Sequence, residues 1–254
     1  MTNELLLCNL DGPVVRLTLN DPARANVLSS EMMAALLATI TELGANPAVR
    51  VVVLGAAGKV FCAGHDLGEL RSTEDRAAHE TLFARCSELM LAIRGCSKPV
   101  IAKVHGAAVA AGCQLVASCD LAFAVDTARF AVSGVNLGLF CSTPGVALGR
   151  AVSRKNALEM LLTGRFVGAA EAATMGLINK ALPADRLDAG VDEAAQAIAA
   201  KAPDAIALGK AVFNRQICAP IEDAYAIATT AMADNLGFES AKSGIDGFLE
   251  GRRG

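Results

Sequence analysis

The sequence lacks the excess of one charge, the long apolar run and the leader pattern that mark several classes of protein. Its 254 residues carry 23 Lys and Arg against 26 Asp and Glu, so no strongly basic surface is available to hold a nucleic-acid backbone. The longest charge-free stretch, residues 130–149, is interrupted by glycines and a proline and is not expected to span a membrane. The N-terminus has neither the basic start of a secretory signal nor the Arg- and Ser-rich composition of a transit peptide. We therefore expect a cytoplasmic protein with no nucleic-acid or membrane partner.

The sequence also lacks the cysteine and histidine spacings that are typical of disulfide-bonded proteins and zinc sites. No Cys-x-x-Cys pair occurs, and a cytosolic chain of this size needs no disulfides, so we expect free thiols that pack as small hydrophobic groups. Cys62 and His65 have half of a zinc-site spacing, but His79 and His105 belong to no second ligand pair. The sequence thus predicts no bound metal. The scattered cysteines are Cys8, Cys62, Cys86, Cys96, Cys113, Cys119, Cys141 and Cys218.

Three common catalytic or nucleotide-binding motifs are absent. The sequence contains no Gly-x-Gly-x-x-Gly and no Gly-x-Ser-x-Gly, and Gly55-x-x-Gly58-Lys59 has the wrong spacing for a phosphate-binding Walker loop. The sequence therefore argues against a nucleotide-binding fold and against a serine hydrolase.

Apolar runs and helical periods alternate along residues 1–183 and predict an α/β core. Runs at 5–10 and 14–19 flank Asp11-Gly12-Pro13, which is the turn chemistry of a β-hairpin. The remaining predicted strands cover 51–54, 100–104 and 121–125, and the predicted helices cover 29–43 with Gly44 as C-cap, 72–95 beginning at Ser72-x-x-Asp75, and 112–118.

Beyond Pro183 the composition changes to alanine-rich helical segments, so residues 184–254 are predicted to form a helical C-terminal region. One apolar stripe there can pack either on its own core or on a neighbouring subunit. The stripe consists of Ile221, Ala224, Tyr225, Ala228 and Met232.

Two glycine-rich loops follow buried strands, at Phe61–Leu67 and at Gly106–Gln114. Small residues let a backbone approach a ligand closely, and backbone N–H groups at a helix start can face a developing anion. Loops at the carboxyl ends of neighbouring strands are also where α/β proteins place ligands. Glycine serves tight turns as well, so the pattern by itself leaves a ligand site and a purely structural role open.

At these loops the sequence resembles the crotonase superfamily, the enoyl-CoA hydratase/isomerase proteins. The similarity covers nearly the whole chain. It rests on the order of five segments: Asn20–Asn26, Phe61–Leu67, Lys98–Gly106 with Gly112–Leu115, Ser118–Asp120, and the tail Gly244–Leu249. The resemblance implies a spiral of β-β-α units followed by a helical C-terminal oligomerisation region, assembled as a trimer or a hexamer. It also implies an acyl-CoA thioester as ligand, with coenzyme A part of the substrate and no separate cofactor.

Carried across by position, the resemblance places an oxyanion hole at the backbone amides of His65 and Ala111. A thioester enolate needs such donors because negative charge builds on its carbonyl oxygen. The loop His65-Asp66-Leu67-Gly68 would line the ligand. Arg24 is a candidate for a coenzyme A phosphate contact, the alternative being an ordinary solvated arginine.

The chain departs from the family at the two glutamates that hydratases use as base and acid. The first falls on Gln114 and the second on Gly134, and neither residue can transfer a proton at neutral pH. The name implied by homology is enoyl-CoA hydratase, a lyase of fatty acid metabolism, but we expect most hydration to be lost. Residues 134–145 look like the enoyl-CoA hydratase domain-containing subgroup. Another thioester-enolate or thioester-cleaving reaction and a catalytically silent, CoA-thioester-binding oligomer remain alternatives.

Several other polar side chains are candidates to approach the acyl group, each with a structural alternative. The two carboxylates can be solvated loop residues, and the asparagine amide can belong to a turn. The two hydroxyls can hold the Pro144-Gly145 turn, and the thiol can pack in the core. These candidates are His65, Asp66, Glu69, Asn136, Cys141, Ser142 and Thr143.

Overall fold

The computed structural model describes residues 5–251, and the first four and last three residues lie outside it. The strands are β1 (Leu6–Asp11), β2 (Val14–Leu19), β3 (Val51–Ala56), β4 (Val60–Cys62), β5 (Val100–Val104), β6 (Ala107–Val109), β7 (Leu121–Val125), β8 (Arg129–Ala131), β9 (Val167–Gly168) and β10 (Lys180–Leu182). The helices are α1 (Ser30–Ala45), α2 (Leu67–Arg71), α3 (Arg76–Gly95), α4 (Ala111–Ser118), α5 (Ser142–Ala151), α6 (Arg154–Thr163), α7 (Ala169–Met175), α8 (Leu187–Ala199), α9 (Pro203–Gln216), α10 (Ile221–Leu236) and α11 (Glu239–Gly251).

The strands form two sheets whose members alternate along the chain. One sheet has the order β1-β2-β3-β5-β7-β10 and the other has the order β4-β6-β8-β9. Each of three successive turns thus contributes one strand to each sheet before its helix, as β3-β4, β5-β6 and β7-β8. Strands of successive turns pair in parallel, as do β2 and β3, whereas β1-β2 and β8-β9 are antiparallel. This arrangement confirms the predicted α/β fold of β-β-α units.

The hairpin and the buried strands form where the apolar runs predict them. Gly12 supplies the positive φ of +60° that the turn between β1 and β2 requires. Residues 51–54 of β3 are almost entirely buried, as is typical of a parallel strand covered on both faces. The core of the molecule therefore lies on both sides of the larger sheet.

Two predicted helix boundaries are wrong. Helix α1 continues through Gly44 and ends at Ala45. A Cβ on Gly44 would lie only 3.3 Å from the Cys96 Sγ, so this glycine allows close packing and does not cap the helix. Helix α3 begins after Asp75, whose carboxylate accepts from the Ala77 N–H. Ser72 instead follows the short helix α2, where its hydroxyl donates to the Glu69 carbonyl oxygen.

The C-terminal segments differ in how they meet the sheet. Helix α8 packs on it and is tied to β2 by Arg16, whose guanidinium lies 2.7 Å from Asp192. Helix α9 is anchored by Lys210, whose Nζ lies 2.6 Å from the Asp120 Oδ2 and also donates to the carbonyl oxygens of Ile93 and Lys98. No hydrophobic side chain of α9 or α11 within the described part of these helices is buried.

Candidate functional site

The two glycine-rich loops touch one another. Gly64 has a φ of +95°, and a Cβ on it would lie 3.0 Å from the Val109 carbonyl oxygen and 3.2 Å from the Ala111 nitrogen. On the other side of the contact, a Cβ on Gly112 would overlap the Cys62 carbonyl. Both glycines are therefore required by the close approach of the loop after β4 to the start of α4. This contact packs Gly64, the residue before His65, against Ala111. His65 and Ala111 are the two residues that the resemblance selects.

The start of α4 is built around a strained residue. Ala110 has φ 50° and ψ −116°, a conformation that residues with a Cβ rarely adopt. It makes Ala111 the first helical residue, where a backbone N–H has no partner inside the helix. Among residues 5–251, no backbone carbonyl accepts a hydrogen bond from the N–H of Ala111 or of His65. The two amides are thus free to donate to a ligand.

The backbone of the first loop is held from the other side by Leu28. This residue pairs with His65 in a parallel bridge, and its N–H donates to the Gly64 carbonyl oxygen at 2.7 Å. Asn26, fully buried, donates to the carbonyl oxygens of Ala57 and Val60 and so fixes the segment that precedes Leu28. The loop therefore has a rigid support, as a preorganised donor needs.

The imidazole of His65 is enclosed between this loop and α3. Its ring meets the Phe83 ring edge-on, with 5.4 Å between centroids and 77° between planes. Both ring nitrogens are buried, and neither has a hydrogen-bond partner within the described chain. Burial lowers the pKa of the His65 imidazole below its ordinary value, while the Leu28 backbone and the Glu69 carboxylate act in the opposite direction. The ring is therefore neutral near pH 7.

The carboxylates of the first loop are engaged in the local structure. Asp66 Oδ1 accepts from the N–H groups of Gly68 and Glu69 and caps α2. The Glu69 carboxylate accepts from the N–H and from the hydroxyl of Ser30, both at 2.9 Å. Leu67, the first residue of α2, is exposed. The capped Asp66 and bonded Glu69 are thus structural groups in this state of the loop.

Arg24 is close to this loop but is already paired. Its Nε lies 2.7 Å from Asp21 and its Nη1 lies 3.1 Å from Asp66, and about half of the side chain is exposed. The structure therefore brings Arg24 to the edge of the candidate site, with two carboxylates competing for its charge.

Gln114 lies one turn into α4 and is almost completely buried. Its Oε1 is 3.9 Å from the Cys86 Sγ, a weak contact with α3. Phe83 and Cys86 are three residues apart on α3, so they present one helical face to His65 and to Gln114 respectively. The same face of α3 thus borders both loops.

The space beside Gly134, to which the resemblance assigns the second glutamate, is closed by neighbouring atoms. The Gly134 N–H donates to the Cys141 Sγ at 3.3 Å. A Cβ on Gly134 would lie 2.8 Å from that sulfur and would overlap the Leu139 carbonyl oxygen. Gly134 does not have a positive φ, so the glycine is required by space and not by its backbone angle.

The other polar candidates are placed around this segment. Asn136 donates to the Gly164 carbonyl oxygen at 3.4 Å, and the Ser142 hydroxyl donates to that of Phe140. Thr143 and Gln114 line a cavity of about 1090 Å³ that extends under α9. These contacts assign structural partners to Asn136 and Ser142.

The prediction of free thiols that pack as hydrophobic groups is confirmed for most of the cysteines, whereas Cys218 is exposed. All eight cysteines, which fall within residues 5–251, are free. Burial raises the pKa values of Cys62, Cys86 and Cys113 to about 12, so these thiols are protonated and unreactive near neutral pH. No group of three or more metal-ligating side chains occurs within residues 5–251. Across the same residues, every helix is too short or too polar to cross a bilayer.

Comparison with known proteins identifies the family. The family model described as enoyl-CoA hydratase/isomerase matches residues 10–254. The chain belongs to the enoyl-CoA hydratase/isomerase family. A crystal structure of an enoyl-CoA hydratase from Mycobacterium smegmatis superimposes with a TM-score of 0.96 at 54% identity, covering 98% of this chain and 97% of that one. The human enoyl-CoA hydratase domain-containing protein 3 superimposes with a TM-score of 0.94 at 42% identity, covering 97% of each chain.

Sequence relatives within the enoyl-CoA hydratase/isomerase family carry the same domain-containing name. The enoyl-CoA hydratase domain-containing protein 3 of Rattus norvegicus is 46% identical over 96% of this chain and 81% of its own length, and that of Homo sapiens is 44% identical. These relatives are named mitochondrial proteins, so the prediction of a cytoplasmic location is wrong. Address signals are read separately from the folded core, whose pattern of strands and helices does not encode a compartment.

Three features of this family member give no signal in the sequence. The positive φ of Ala110 occurs at a residue that is ordinarily helix-forming, and the contact between His65 and Phe83 joins residues 18 positions apart. The bond from Ser30 to Glu69 likewise depends on the packing of α1 beside α2. Only the tertiary arrangement brings these groups together.

Proposed function

We propose that this chain binds acyl-CoA thioesters and stabilises their enolate form, with the amides of His65 and Ala111 as the oxyanion hole. The observation that carries the proposal is the contact of the two loops. Gly64, which precedes His65, packs against Ala111, and the N–H groups of His65 and Ala111 have no backbone acceptor among residues 5–251. The family membership supports the same ligand. Each preorganised donor in such a hole is worth roughly two to three powers of ten in rate.

Hydration is expected to be slow in this site. Addition of water to an enoyl thioester needs a base for the water and an acid for the α carbon, and Gln114 and Gly134 supply neither. Each missing acid–base group is worth roughly two to four powers of ten. A reaction confined to the thioester and its α carbon does not need both groups, and it requires no cofactor beyond the coenzyme A of the substrate.

Ligand access is proposed to follow the exposed edge of the first loop. His65, Asp66, Leu67 and Gly68 would line the thioester, since they carry the free amide and the start of α2. Arg24 would meet a coenzyme A phosphate by exchanging one carboxylate partner for the phosphate, because a guanidinium presents several donors. The alternative is that Arg24 serves only to hold Asp21 and Asp66.

The oligomer is a further part of the proposal. The helices after Pro203 expose large apolar side chains that a soluble monomer rarely leaves in water. A trimer or hexamer would cover them. They are Phe213, Ile217, Ile221, Tyr225, Met232 and Leu236.

The decisive experiment replaces Ala111 by proline. Proline removes the amide donor and is tolerated at the first helical position, where this N–H has no intrahelical partner. We expect binding of butyryl-CoA or turnover of an enoyl-CoA to weaken much more than binding of free coenzyme A. Circular dichroism must show a native fold. Equal losses for thioester and free coenzyme A would contradict the assignment of Ala111.

The competing functions are separated by a panel of acyl-CoA thioesters. Binding and turnover are measured in parallel on the same protein. Release of free coenzyme A would favour a thioester-cleaving enzyme, and tight binding without any chemical change or α-proton exchange would favour a silent binding oligomer.

A further inference from the structure

The candidate site contains few groups that can move a proton. Asp66 is occupied as the cap of α2 and as an ion-pair partner of Arg24. Glu69 accepts from both the N–H and the hydroxyl of Ser30. Each carboxylate would have to give up these bonds before it could approach a ligand.

The remaining candidates beyond the first loop are no better placed. Gln114 has an amide, which does not exchange protons at neutral pH. The Cys141 thiol is buried against Gly134, and burial raises its pKa. Neither side chain is available as a proton acceptor near pH 7.

His65 is the exception. Its two ring nitrogens are buried and have no hydrogen-bond partner among the described residues. Phe83 fixes the ring by an edge contact, so the imidazole is held in place while its polar atoms are unsatisfied. A buried polar group without a partner is unusual in a native protein, and a catalytic role is one of the explanations for it. The ring also belongs to the residue whose amide is proposed to bind the thioester oxygen.

We propose that the His65 imidazole accepts the proton from the α carbon of the bound acyl thioester. This inference rests on the proposed function, since it requires a thioester in the oxyanion hole. The α C–H bond breaks, its electron pair forms the enolate double bond, and negative charge moves to the carbonyl oxygen facing the His65 and Ala111 amides. The proton forms an N–H bond on the imidazole and later returns to carbon. No oxidant, reductant or second substrate is consumed.

Glu69 has a positioning role in this step. Its carboxylate favours a positive charge on His65 and is itself held by Ser30, so it would stabilise the imidazolium that forms together with the enolate. The Leu28 backbone also favours the charged form of the ring. The other charged group near the ring in sequence, Asp66, is neutralised by Arg24. Glu69 is therefore the carboxylate whose charge acts on the ring.

The test measures exchange of the α protons of butyryl-CoA in deuterated water by mass spectrometry. We compare the wild type with His65→Gln, which keeps hydrogen bonding but does not titrate, and with His65→Phe, which keeps the ring contact with Phe83. Both variants should lose exchange by at least about 100-fold, the typical worth of a positioned base. Binding of butyryl-CoA by calorimetry should change by less than about tenfold, since the oxyanion amides belong to the backbone.

The matched control is His105→Gln, because the ring of His105 already bonds the Gly58 carbonyl oxygen and lies outside both loops. It should retain the wild-type exchange rate. The pH profile of the wild type needs no variant. Exchange should fall on the acid side through a pKa below the ordinary histidine value, because only the neutral ring accepts a proton.

The outcomes separate this inference from the proposed function. A wild type that binds no acyl-CoA overturns the proposed function and this step with it. A wild type that binds butyryl-CoA but shows no enzyme-dependent exchange, or exchange that His65→Gln retains, overturns only the role of His65. Exchange without an acid limb below the ordinary histidine pKa also overturns it. Loss of exchange in both variants with binding retained supports it.

Discussion

The Sγ of Cys141 lies 3.3 Å from the backbone nitrogen of Gly134 and accepts its hydrogen bond. A Cβ on Gly134 would lie 2.8 Å from the same sulfur and would overlap the Leu139 carbonyl oxygen. A thiol and a carbonyl thus fill the position at which the family resemblance expects a glutamate. Restoring that glutamate requires the segment 134–141 to move.

We expect Gly134→Glu to destabilise the protein by about 1–3 kcal/mol, the usual cost of overpacking a filled space. Thermal unfolding measures the loss. Gly95→Glu is the matched control, since a Cβ at Gly95 meets no atom within 4 Å and the residue is exposed at the end of α3. Equal stability of the two variants would mean that segment 134–141 yields easily, and the pairing of Gly134→Glu with Gln114→Glu would then be practicable.

Gln114→Glu is the safer way to restore hydration. The change is nearly isosteric, and it places a carboxyl group one turn inside α4 beside the proposed oxyanion hole. We expect slow hydration of crotonyl-CoA by the wild type and a gain of at least about tenfold in the variant, below the full worth of an acid–base group because the second glutamate is still missing. Gln114→Met, which cannot ionise, should show no gain. Fast hydration by the unmodified protein would refute the placement of the acid–base residues.

The ion pair between Lys210 and Asp120 should be a major anchor of α9. Lys210 is almost fully buried, so its removal leaves the Asp120 carboxylate without its charged partner, and such a loss costs about 3 kcal/mol in a buried pair. Lys210→Met should lower the unfolding midpoint in urea accordingly. Lys103→Met breaks an exposed pair with Asp188 and should cost less than about 1 kcal/mol. Similar effects of the two substitutions would show that α9 is held mainly by other contacts.

The stability of the protein should depend on pH through His65. Because the folded pKa of His65 is lowered, the unfolded chain binds a proton that the folded chain does not. The free energy of unfolding therefore decreases as pH falls from the ordinary histidine pKa of 6.5 toward the lowered folded value. Urea unfolding between pH 8 and pH 5 should show a smaller decrease for His65→Phe than for the wild type. Parallel curves would indicate that folding does not lower the pKa of the His65 ring.

The exposed face of α10 should lie in a subunit interface. Tyr225 and Met232 are largely exposed on this helix, whereas Ala224 is its buried residue. We expect sedimentation of the wild type to show a trimer or hexamer, and Tyr225→Glu to shift it toward smaller species, because a charge is costly in an apolar contact. Leu10→Glu makes the same change at an exposed site on β1 and should leave the assembly intact. A stable wild-type monomer at micromolar concentration would contradict the proposal.

The sequence predicted the elements that depend on local pattern. Asp11-Gly12-Pro13 identified the hairpin, and continuous apolar residues identified β3, β5 and β7. The predicted boundaries failed where a neighbouring element decided them. Gly44 remains inside α1 because α1 packs tightly against the end of α3, and α3 starts at Asp75 because Ser72 is used to end α2. Residues at the ends of a helix can adopt several locally favourable conformations, and packing against neighbouring elements selects one of them.

The alternation of apolar runs was sufficient to predict the fold class, because the periodicity of burial follows from residue type. The family was predicted from the resemblance of five ordered segments to the enoyl-CoA hydratase/isomerase proteins. Residue type alone does not say which polar groups are already satisfied. The tertiary structure decided that Asp66 and Glu69 are engaged, that Cys141 fills the space beside Gly134, and that His65 is left without a partner. Hydrogen bonds and close contacts join residues that are far apart in sequence. Which side chains remain able to react with a ligand is therefore determined only when the chain is folded.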